Sequence, residues 1–365
     1  MRIAVIEHSK AGDYAEYIYS LLDDKAKENN YVVKTWSNSV PAFQQKVEDD
    51  TIIYISIGNT SQFLLSWMYS VKIPSILKKT NAELVLDLNG VASSKIKIPQ
   101  LLITDQYLFN KEHQSLNSIE KYAKKSFKDS LKLAKNLIAY SNKKFENETS
   151  LKANAIQFLP FTSPEIFKTF EWHDKIMVKA QHADNKEYFL AVIGDNATND
   201  FVTLLQAFSK FKKWQQSSMQ LLILAKHETF DVNILAKHKT YKHREDVRLL
   251  DDIDEKQIAA IFASAAAFIH ISSSEPNLLM LSIALQCSLP IISPADDDVN
   301  EYANDAALYY DEKDSAALGD KIIQLYKNEN LQAELKANAQ KQSALLNRKD
   351  AADKLWHLLQ AATIV

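Results

Sequence analysis

A single carboxylate, Glu275, separates an apolar segment with the character of a strand, residues 266–271, from an apolar helical pattern, residues 278–286. Backbone N–H groups at the start of a helix can bind an anion, and Ser272–Ser274 add hydroxyl groups at the same place. Glu275 can accept hydrogen bonds from the hydroxyls of a sugar. It can equally stabilise the helix through its dipole, which contributes about 0.3–1 kcal/mol. The residues alone leave both roles open.

The other reactive side chains favour structural roles. No Cys or carboxylate completes a convincing set of metal ligands with His238 and His243. Asp296–Asp298 are typical of a solvated loop and helix start. His270 lies inside an apolar strand pattern and is predicted to be a hydrogen-bonded core residue, and Cys287 a small core residue. No metal or other cofactor is therefore expected.

Short apolar segments alternate with helical patterns along most of the chain. The predicted strands are RIAVIEH, YVVKTW, TIIYISIG, ELVLDL, PQLLIT and NLIAYS, then EYFLAVIG, MQLLILA, DVRLL, AAFIHIS and LPIIS. Nearly continuous apolar strands between helices indicate parallel sheets that are covered on both faces. Asp87, at the end of ELVLDL, could face a cleft or cap a turn. The pattern predicts an α/β protein with two Rossmann-like domains.

The break between these domains is predicted where the apolar periodicity is lost. We expect a first domain at 1–165, a linker at 166–186 and a second domain at 187–345. Residues 346–365 are predicted to form a terminal helix that packs on the first domain. Because ligands of open parallel sheets bind beyond the carboxyl ends of the strands, two facing domains of this kind would form a binding cleft.

The composition limits the classes of partner and the cellular compartments that are expected for this protein. The chain has 365 residues, a net charge of -3 and a single cysteine. This charge argues against nucleic acid as a partner, and one cysteine suits a reducing compartment. Neither a signal-peptide pattern nor an apolar run long enough for a membrane span is apparent, so the cytoplasm is expected.

One helical pattern, residues 115–138, is rich in lysine on one side. Its lysines are Lys121, Lys124, Lys125, Lys128, Lys132 and Lys135, and its apolar stripe is Ile119, Ala123, Phe127, Leu131, Ala134 and Ile138. This pattern is typical of a helix that packs on a core and exposes a charged face. It is also compatible with peripheral contact to an anionic membrane.

From Glu187 to Leu359 the chain resembles the second domain of the bacterial group 1 glycosyltransferases (family 4, GT-B fold). Residues 275–292, EPNLLMLSIALQCSLPII, follow that family's pattern E-P-F-G-x-x-x-L-E-A-M-A-x-G-x-P-V-I. Residues 189–213 resemble its strand, phosphate loop and helix. The first domain matches more loosely, through 70–90 and 99–109.

The resemblance implies an activity and a set of site positions. In that family, two domains bind a nucleotide-diphospho-sugar, and the sugar passes to an acceptor hydroxyl with retained anomeric configuration and without a metal. An Arg, a Lys and a glycine-containing loop stabilise the diphosphate. A second Glu binds the ribose, and a His of the first domain faces the sugar.

Most of the donor positions are replaced in this sequence. The family's Arg position is Asp195, directly after Gly194, and its Lys position falls at or next to Asn199. The loop glycine is replaced by Leu278, and the ribose-binding Glu by Ile283. An aspartate in place of arginine repels a diphosphate, and one stabilising donor is typically worth about 3 kcal/mol. The resemblance therefore implies an atypical donor site.

Glu275 is the one main position that the resemblance carries over unchanged. The first-domain His aligns with Thr104, followed by Asp105, and the glycine-rich acceptor loop retains Gly12. Lys226 or His227, which follow a predicted strand, could replace a lost cation. The remaining candidate donor contacts around Glu275 are Ser274, Pro276, Asn277 and Leu279.

Two functions follow as expectations. The first is a glycosyltransferase that takes a nucleotide-diphospho-sugar as donor and a glycan or lipid-linked acceptor, as in polysaccharide biosynthesis. The second is a catalytically silent GT-B module that binds a glycan or a partner protein. Fold alone does not decide between them, because function depends on the chemistry of the site.

Overall fold

The computed structural model describes residues 1–8, 13–37, 50–58, 60–103, 117–139, 156–194, 198–225, 230–271, 277–311 and 314–363. Contacts along the chain divide it into two compact units. The first unit is 1–161 together with 348–365, and the second unit is 162–347.

The first unit contains a parallel sheet. Its strands are β1 Arg2–His8, β2 Val32–Ser37, β3 Thr51–Ile57, β4 Leu84–Asp87, β5 Gln100–Ile103, β6 Asn136–Ala139 and β7 Ile156–Phe158. Within the described residues their order is β2-β3-β1-β4-β5-β6-β7, and every pair is parallel. The central strands β1, β3 and β4 are almost entirely buried, as expected of a parallel sheet covered on both faces.

Among the described residues, four helices of the first unit precede the second unit in the chain. They are α1 Asp13–Glu28, α2 Gln62–Trp67, α3 Ile73–Thr80 and α4 Ser118–Leu133, and Met68–Lys72 form a π-turn between α2 and α3. Helix α4 is shorter than the predicted helix 115–138. Ala134 adopts an extended conformation and ends it, and Ile138 is a buried residue of β6. The residues of the predicted apolar stripe therefore belong to two elements, helix α4 and the following strand β6.

The second unit repeats the α/β alternation. Its strands are β8 Tyr188–Ile193, β9 Gln220–Ala225, β10 Val247–Leu250, β11 Ala267–Ile269, β12 Ile291–Pro294 and β13 Ala307–Tyr310. Its helices are α5 Trp172–His182, α6 Thr198–Trp214, α7 Val232–Thr240, α8 Glu255–Ser264, α9 Leu278–Gln286, α10 Asp297–Ala303, α11 Ser315–Tyr326 and α12 Glu329–Leu345. The strands that the structure describes are parallel, in the order β10-β9-β8-β11-β12-β13.

Two local features of this unit concern helix packing. Helix α5 lies inside the segment predicted as a linker, 166–186; it buries Val178 and leaves Trp172 and Met177 exposed, which explains its weak apolar periodicity. Helices α6 and α11 approach closely at Gly319. A Cβ atom there would lie 3.2 Å from the carbonyl oxygen of Ala207 and even closer to carbon atoms of a neighbouring lysine. Glycine is thus required by the close contact of the two helices.

The last described helix, α13 Arg348–Thr363, packs on the first unit. Leu355, Trp356 and Leu359 are buried, and α13 contacts α1, β4 and β5. Arg348 also donates to Asp24 of α1, with Nη2···Oδ2 at 2.9 Å. The chain thus has the predicted architecture of two Rossmann-like units with a final helix on the first. None of the described helices is long and apolar enough to cross a bilayer.

Candidate functional site

The strand order of the second unit defines one position at which a ligand site is expected. From β8 the chain proceeds outward through β9 to β10, and it then returns to β11 on the other side of β8. The strands that follow β8 and β11 in the chain, β9 and β12, consequently lie on opposite sides of the β8–β11 pair. Ligands of open α/β sheets bind at such a switch point, beyond the carboxyl ends of the strands. The β8 and β11 loops therefore form the candidate site of this unit.

On the β8 side, Gly194 follows the strand at an exposed position. A Cβ atom added to Gly194 would meet no described atom within 4 Å, so the space next to this backbone is open. Helix α6 begins at Thr198, whose hydroxyl lies 3.4 Å from Oδ2 of Asp231, the N-cap of α7. Asn199, the predicted counterpart of the family's lysine, is exposed in the first turn of α6.

On the β11 side, a buried hydrogen-bond network fixes the approach to α9. His270 directly follows β11 and is almost completely buried. Its Nδ1 lies 2.8 Å from Oγ of Ser293 in β12, and its Nε2 accepts a hydrogen bond from the backbone N–H of Asn277 at 3.2 Å. Ser293 in turn donates to the carbonyl of Pro294 at 3.2 Å. The imidazole thus connects the ends of β11 and β12 to the residue that caps α9.

This network determines the state of the imidazole. Because Nε2 of His270 accepts from a backbone N–H, the proton of a neutral ring must reside on Nδ1, which donates to Ser293. Burial lowers the pKa of His270 to about 4, since the charged form of the ring loses its hydration. His270 is therefore neutral at physiological pH and acts as a positioning residue rather than a cation. The prediction of a hydrogen-bonded core histidine is confirmed.

Helix α9 begins with a side-chain cap and buries its apolar surface. Asn277 accepts a hydrogen bond from the backbone N–H of Met280 at 3.3 Å, which is an N-cap interaction. Leu278 is 1% exposed and Ile283 is 2% exposed, while Leu279 is partly buried. The two positions that were predicted to correspond to the family's loop glycine and ribose-binding Glu are thus core positions here.

The burial of Ile283 leads to a first prediction. Ile283→Glu introduces the carboxylate that the family resemblance implies for this position, and it places that carboxylate at an almost completely buried site. We expect the free energy of unfolding of the second unit to fall by about 3 kcal/mol or more. Urea unfolding of the two proteins measures this loss. Ile283→Leu, which keeps the apolar volume, is the matched control and should cost less than about 1.5 kcal/mol. A stable Ile283→Glu variant would show that this position can open to solvent.

At the corresponding edge of the first sheet, Asp87 ends β4 next to β1 and is fully buried. Its Oδ1 accepts from the backbone N–H groups of Asn89 at 2.9 Å and Val91 at 3.0 Å. Its Oδ2 accepts from the hydroxyl of Tyr69 at 2.7 Å. Between these residues, Gly90 has a φ of 72°, a conformation that favours glycine. Of the two predicted roles, the structure assigns Asp87 the capping of this turn.

Nine of the predicted site residues lie outside the described residues. They are Gly12, Thr104, Asp105, Asp195, Lys226, His227, Ser274, Glu275 and Pro276. Of the others, Gly194 and Asn199 belong to the β8 side of the switch point, and Asn277 and Leu278 to the β11 side. Ser293, the partner of His270, was not predicted from the sequence. The signal that could have identified it was a hydroxyl at the end of an otherwise apolar strand. Across the described ranges, no three His, Cys, Asp or Glu side chains are grouped as metal ligands.

Two parallel-sheet Rossmann-like units, a terminal helix on the first unit and a switch-point edge in the second define the GT-B fold of glycosyltransferases. Within this fold, residues 173–342 match the model of the family Glycosyl transferases group 1. No curated protein matches the chain at the level of sequence.

Solved structures extend the likeness over the whole chain. A sucrose-phosphate synthase from Thermosynechococcus elongatus has a TM-score of 0.75 and 17% identity, covering 99% of this chain and 98% of its own. WaaG, a glycosyltransferase involved in lipopolysaccharide biosynthesis, has a TM-score of 0.74 and 13% identity, covering 98% and 99%. Anabaena Alr3699/HepE in complex with UDP and glucose has a TM-score of 0.72 and 13% identity, covering 99% of each chain. At these identities the comparison establishes the fold.

Proposed function

We propose that the chain is a glycosyltransferase that binds a nucleotide-diphospho-sugar at the β8–β11 edge of its second unit. It transfers the sugar, with retention of anomeric configuration, to a glycan or lipid-linked acceptor. The donor is a substrate, and the reaction requires no metal. The observation that supports this proposal is the switch point between β8 and β11, where Gly194 follows β8 and His270, which accepts a hydrogen bond from the backbone of Asn277, follows β11.

The elements at this edge suit an anionic donor. Helices α6 and α9 both begin here, and the N-terminal N–H groups of a helix stabilise negative charge. The family match covers these elements, and the HepE structures contain UDP or UDP-glucose. Uridine diphosphate is therefore the first nucleotide to test. Helix termini supply only partial positive charge, so the donor site is weaker than one with two fixed cations.

Glu275 is the residue proposed to contact the donor sugar. A carboxylate can accept hydrogen bonds from two hydroxyls of a pyranose, and the network of His270 holds the residue that follows Glu275 by two positions. Lys226, which follows β9, is proposed as the cation nearest to the leaving diphosphate. Asp195 and Asn199 occupy the family's cation positions without supplying a positive charge.

A melting experiment tests the proposal. The full chain is heated with UDP, GDP or ADP and with the corresponding nucleotide-sugars. A ligand present at ten times its Kd stabilises the protein by about 1.4 kcal/mol, which raises the Tm measurably. Glu275→Ala should weaken the binding of a nucleotide-sugar more than that of the free nucleotide. The absence of a shift with every nucleotide would contradict donor binding.

A matched control separates a sugar contact from a general electrostatic effect. Glu329 is the first residue of α12, and Glu329→Ala therefore removes a first-turn carboxylate elsewhere in the second unit. This variant should bind nucleotide and nucleotide-sugar as the wild type does. Equal losses of both ligands in Glu275→Ala would assign Glu275 to helix stabilisation instead.

The second candidate is a catalytically silent GT-B module that binds a glycan or a partner protein. The burial of Leu278 and Ile283 favours this second function, because apolar side chains occupy two positions that the family resemblance assigns to donor binding. Binding to glycans without any nucleotide-induced shift in Tm would support this function over the first. Hydrolysis of a nucleotide-sugar, or its transfer to an added acceptor, would exclude it.

A further inference from the structure

An exposed apolar row runs along α2 and the π-turn that continues it. Phe63 is 85% exposed, Trp67 is 44% exposed and Val71 is 53% exposed, and these residues follow one another at four-residue spacing. Leu64 adds a fourth exposed apolar side chain beside them. Single exposed apolar residues are common on soluble proteins, whereas a contiguous row of large ones marks an interaction surface.

The opposite face of α2 and of the π-turn is already buried. Leu65, Met68 and Tyr69 belong to the core of the first unit and are almost inaccessible. Helix α2 is consequently apolar on its inner and outer faces. A helix that is apolar all round is normally covered by protein or by lipid on both faces. The structure therefore leaves the outer face of α2 without the covering that its composition requires.

Helix α4 lies directly beside α2. The rings of Tyr69 and Tyr122 are stacked with centroids 5.7 Å apart, and the side chain of Ser66 hydrogen-bonds to Tyr122. Both helices pack their inner faces into one core cluster, which includes Ala4 and Ile53 of the sheet. Since they cover the same side of one sheet, their outer faces point away from it side by side.

The outer face of α4 is basic. Lys121, Lys125, Lys128 and Lys132 recur at spacings of four and three residues, opposite the buried Ile119, Ala123 and Phe127. The last three of these lysines are exposed, and Lys132 lies 3.5 Å from Asp129 in a solvated pair that weakly offsets one charge. This positive face belongs to a chain whose net charge is -3. The basic character is therefore local to α4.

We propose that these two outer faces form a docking surface for an anionic lipid bilayer. The α2–α4 face, defined as Phe63, Trp67, Val71, Lys125, Lys128 and Lys132, combines the two elements of interfacial binding. Aromatic and aliphatic side chains enter the boundary between headgroups and acyl chains, and lysines interact with acidic headgroups. We favour a lipid surface over a protein partner for this face. A row of apolar side chains beside several lysines can bind a bilayer without a partner surface of complementary shape. Lipid docking at this face does not depend on the proposed sugar transfer.

Vesicle binding by the full chain tests the proposal. The protein is sedimented with vesicles of phosphatidylcholine alone and of phosphatidylcholine mixed with phosphatidylglycerol. We expect binding to the mixed vesicles that weakens at high salt. Each lysine near an anionic surface contributes about a 5-fold gain in partitioning, so the triple variant Lys125→Gln, Lys128→Gln, Lys132→Gln should bind about 100-fold less. The double variant Phe63→Ser, Trp67→Ser should lose about 10-fold or more.

Matched controls remove the same side chains elsewhere. Trp172 is 76% exposed in α5, and Lys213, Lys237 and Lys239 are exposed lysines of the second unit. Trp172→Ser and the triple Lys→Gln variant at 213, 237 and 239 should bind vesicles as the wild type does. Equal losses in these controls, or absence of binding to the mixed vesicles, would overturn the proposal.

Two further readouts distinguish lipid docking at this face from unfolding and from self-association. Far-ultraviolet circular dichroism and the Tm of each variant establish that it is folded. Analytical ultracentrifugation without lipid detects self-association; a dimer lost in Phe63→Ser, Trp67→Ser without vesicle binding would assign the α2–α4 face to a second copy of the chain and overturn the lipid proposal. The Tm shift with nucleotides should be unchanged in all α2–α4 variants, so failure here is distinguishable from failure of donor binding.

Discussion

Asp87→Ala is expected to lower the free energy of unfolding of the first unit by about 3 kcal/mol or more. The hydroxyl of Tyr69 and the backbone N–H groups of Asn89 and Val91 would lose their acceptor. A buried donor left without an acceptor costs about 1–3 kcal/mol. Urea unfolding, with hydrogen exchange to assign the transition to the first unit, measures the loss. Asp87→Asn keeps an oxygen for the two N–H groups and should cost far less at pH 7.

The ionisation of Asp87 adds a pH dependence with a defined sign. Burial raises the pKa of Asp87 from its usual 3.8 to about 7. Between these pH values the folded state holds a proton that the unfolded state releases, so this group's contribution to stability is lost as the pH rises from about 4 to 7. The total amounts to about 4 kcal/mol. Asp87→Asn has no such proton, and its stability relative to the wild type should therefore increase over this interval. A constant difference would show that Asp87 is ionised throughout.

His270→Ala is expected to destabilise the second unit by about 3 kcal/mol and to weaken donor binding. The backbone N–H of Asn277 would lose its acceptor and Ser293 its donor, in a site closed to water. Because Asn277 caps α9, the start of this helix would lose its connection to β11 and β12. Urea unfolding and nucleotide-induced Tm shifts report the two effects. His173→Ala, at an exposed position of α5, should change neither.

The contribution of His270 to stability also depends on pH. In contrast to that of Asp87, it is lost as the pH falls. Burial lowers the pKa of His270 from its usual 6.5 to about 4. As the pH falls from 6.5 to 4, the imidazole of His270 binds a proton in the unfolded state but not in the folded state. About 3 kcal/mol of stability is lost over this interval. His270→Ala removes this group from both states. The difference between wild type and variant should therefore shrink below pH 6.5; a difference independent of pH would contradict a neutral, buried imidazole.

The architecture was predictable because its signals are local. Continuous apolar strands alternating with amphipathic helices indicate buried parallel sheets, and the central strands β1, β3, β8 and β9 have this character. Two strands that were not predicted from the sequence, β7 and β13, are the last strands of their sheet orders. Both are short and partly exposed, so neither has a long apolar run. Helix α5 was missed for a similar reason, since exposed Trp172 and Met177 obscure its buried side.

The site was less predictable because its contacts join distant parts of the chain. His270 and Ser293 are far apart in sequence and meet only because β11 and β12 are neighbours. A residue-by-residue comparison could identify Ile283 as a replaced position. It could not show that the side chain would be buried in α9. Spacing similarly could not choose between a ligand contact and a turn cap for Asp87, because the choice depends on Tyr69, which lies on a different element.

The return of α13 to the first unit has a consequence for biosynthesis. The residues that complete this unit, 348–363, are translated only after the last residue of the second unit. The hydrophobic surface of the first unit that Leu355, Trp356 and Leu359 cover therefore stays exposed until these residues have been synthesised. A released chain that ends at residue 347 should consequently be more sensitive to protease in β1–β7 than in β8–β13.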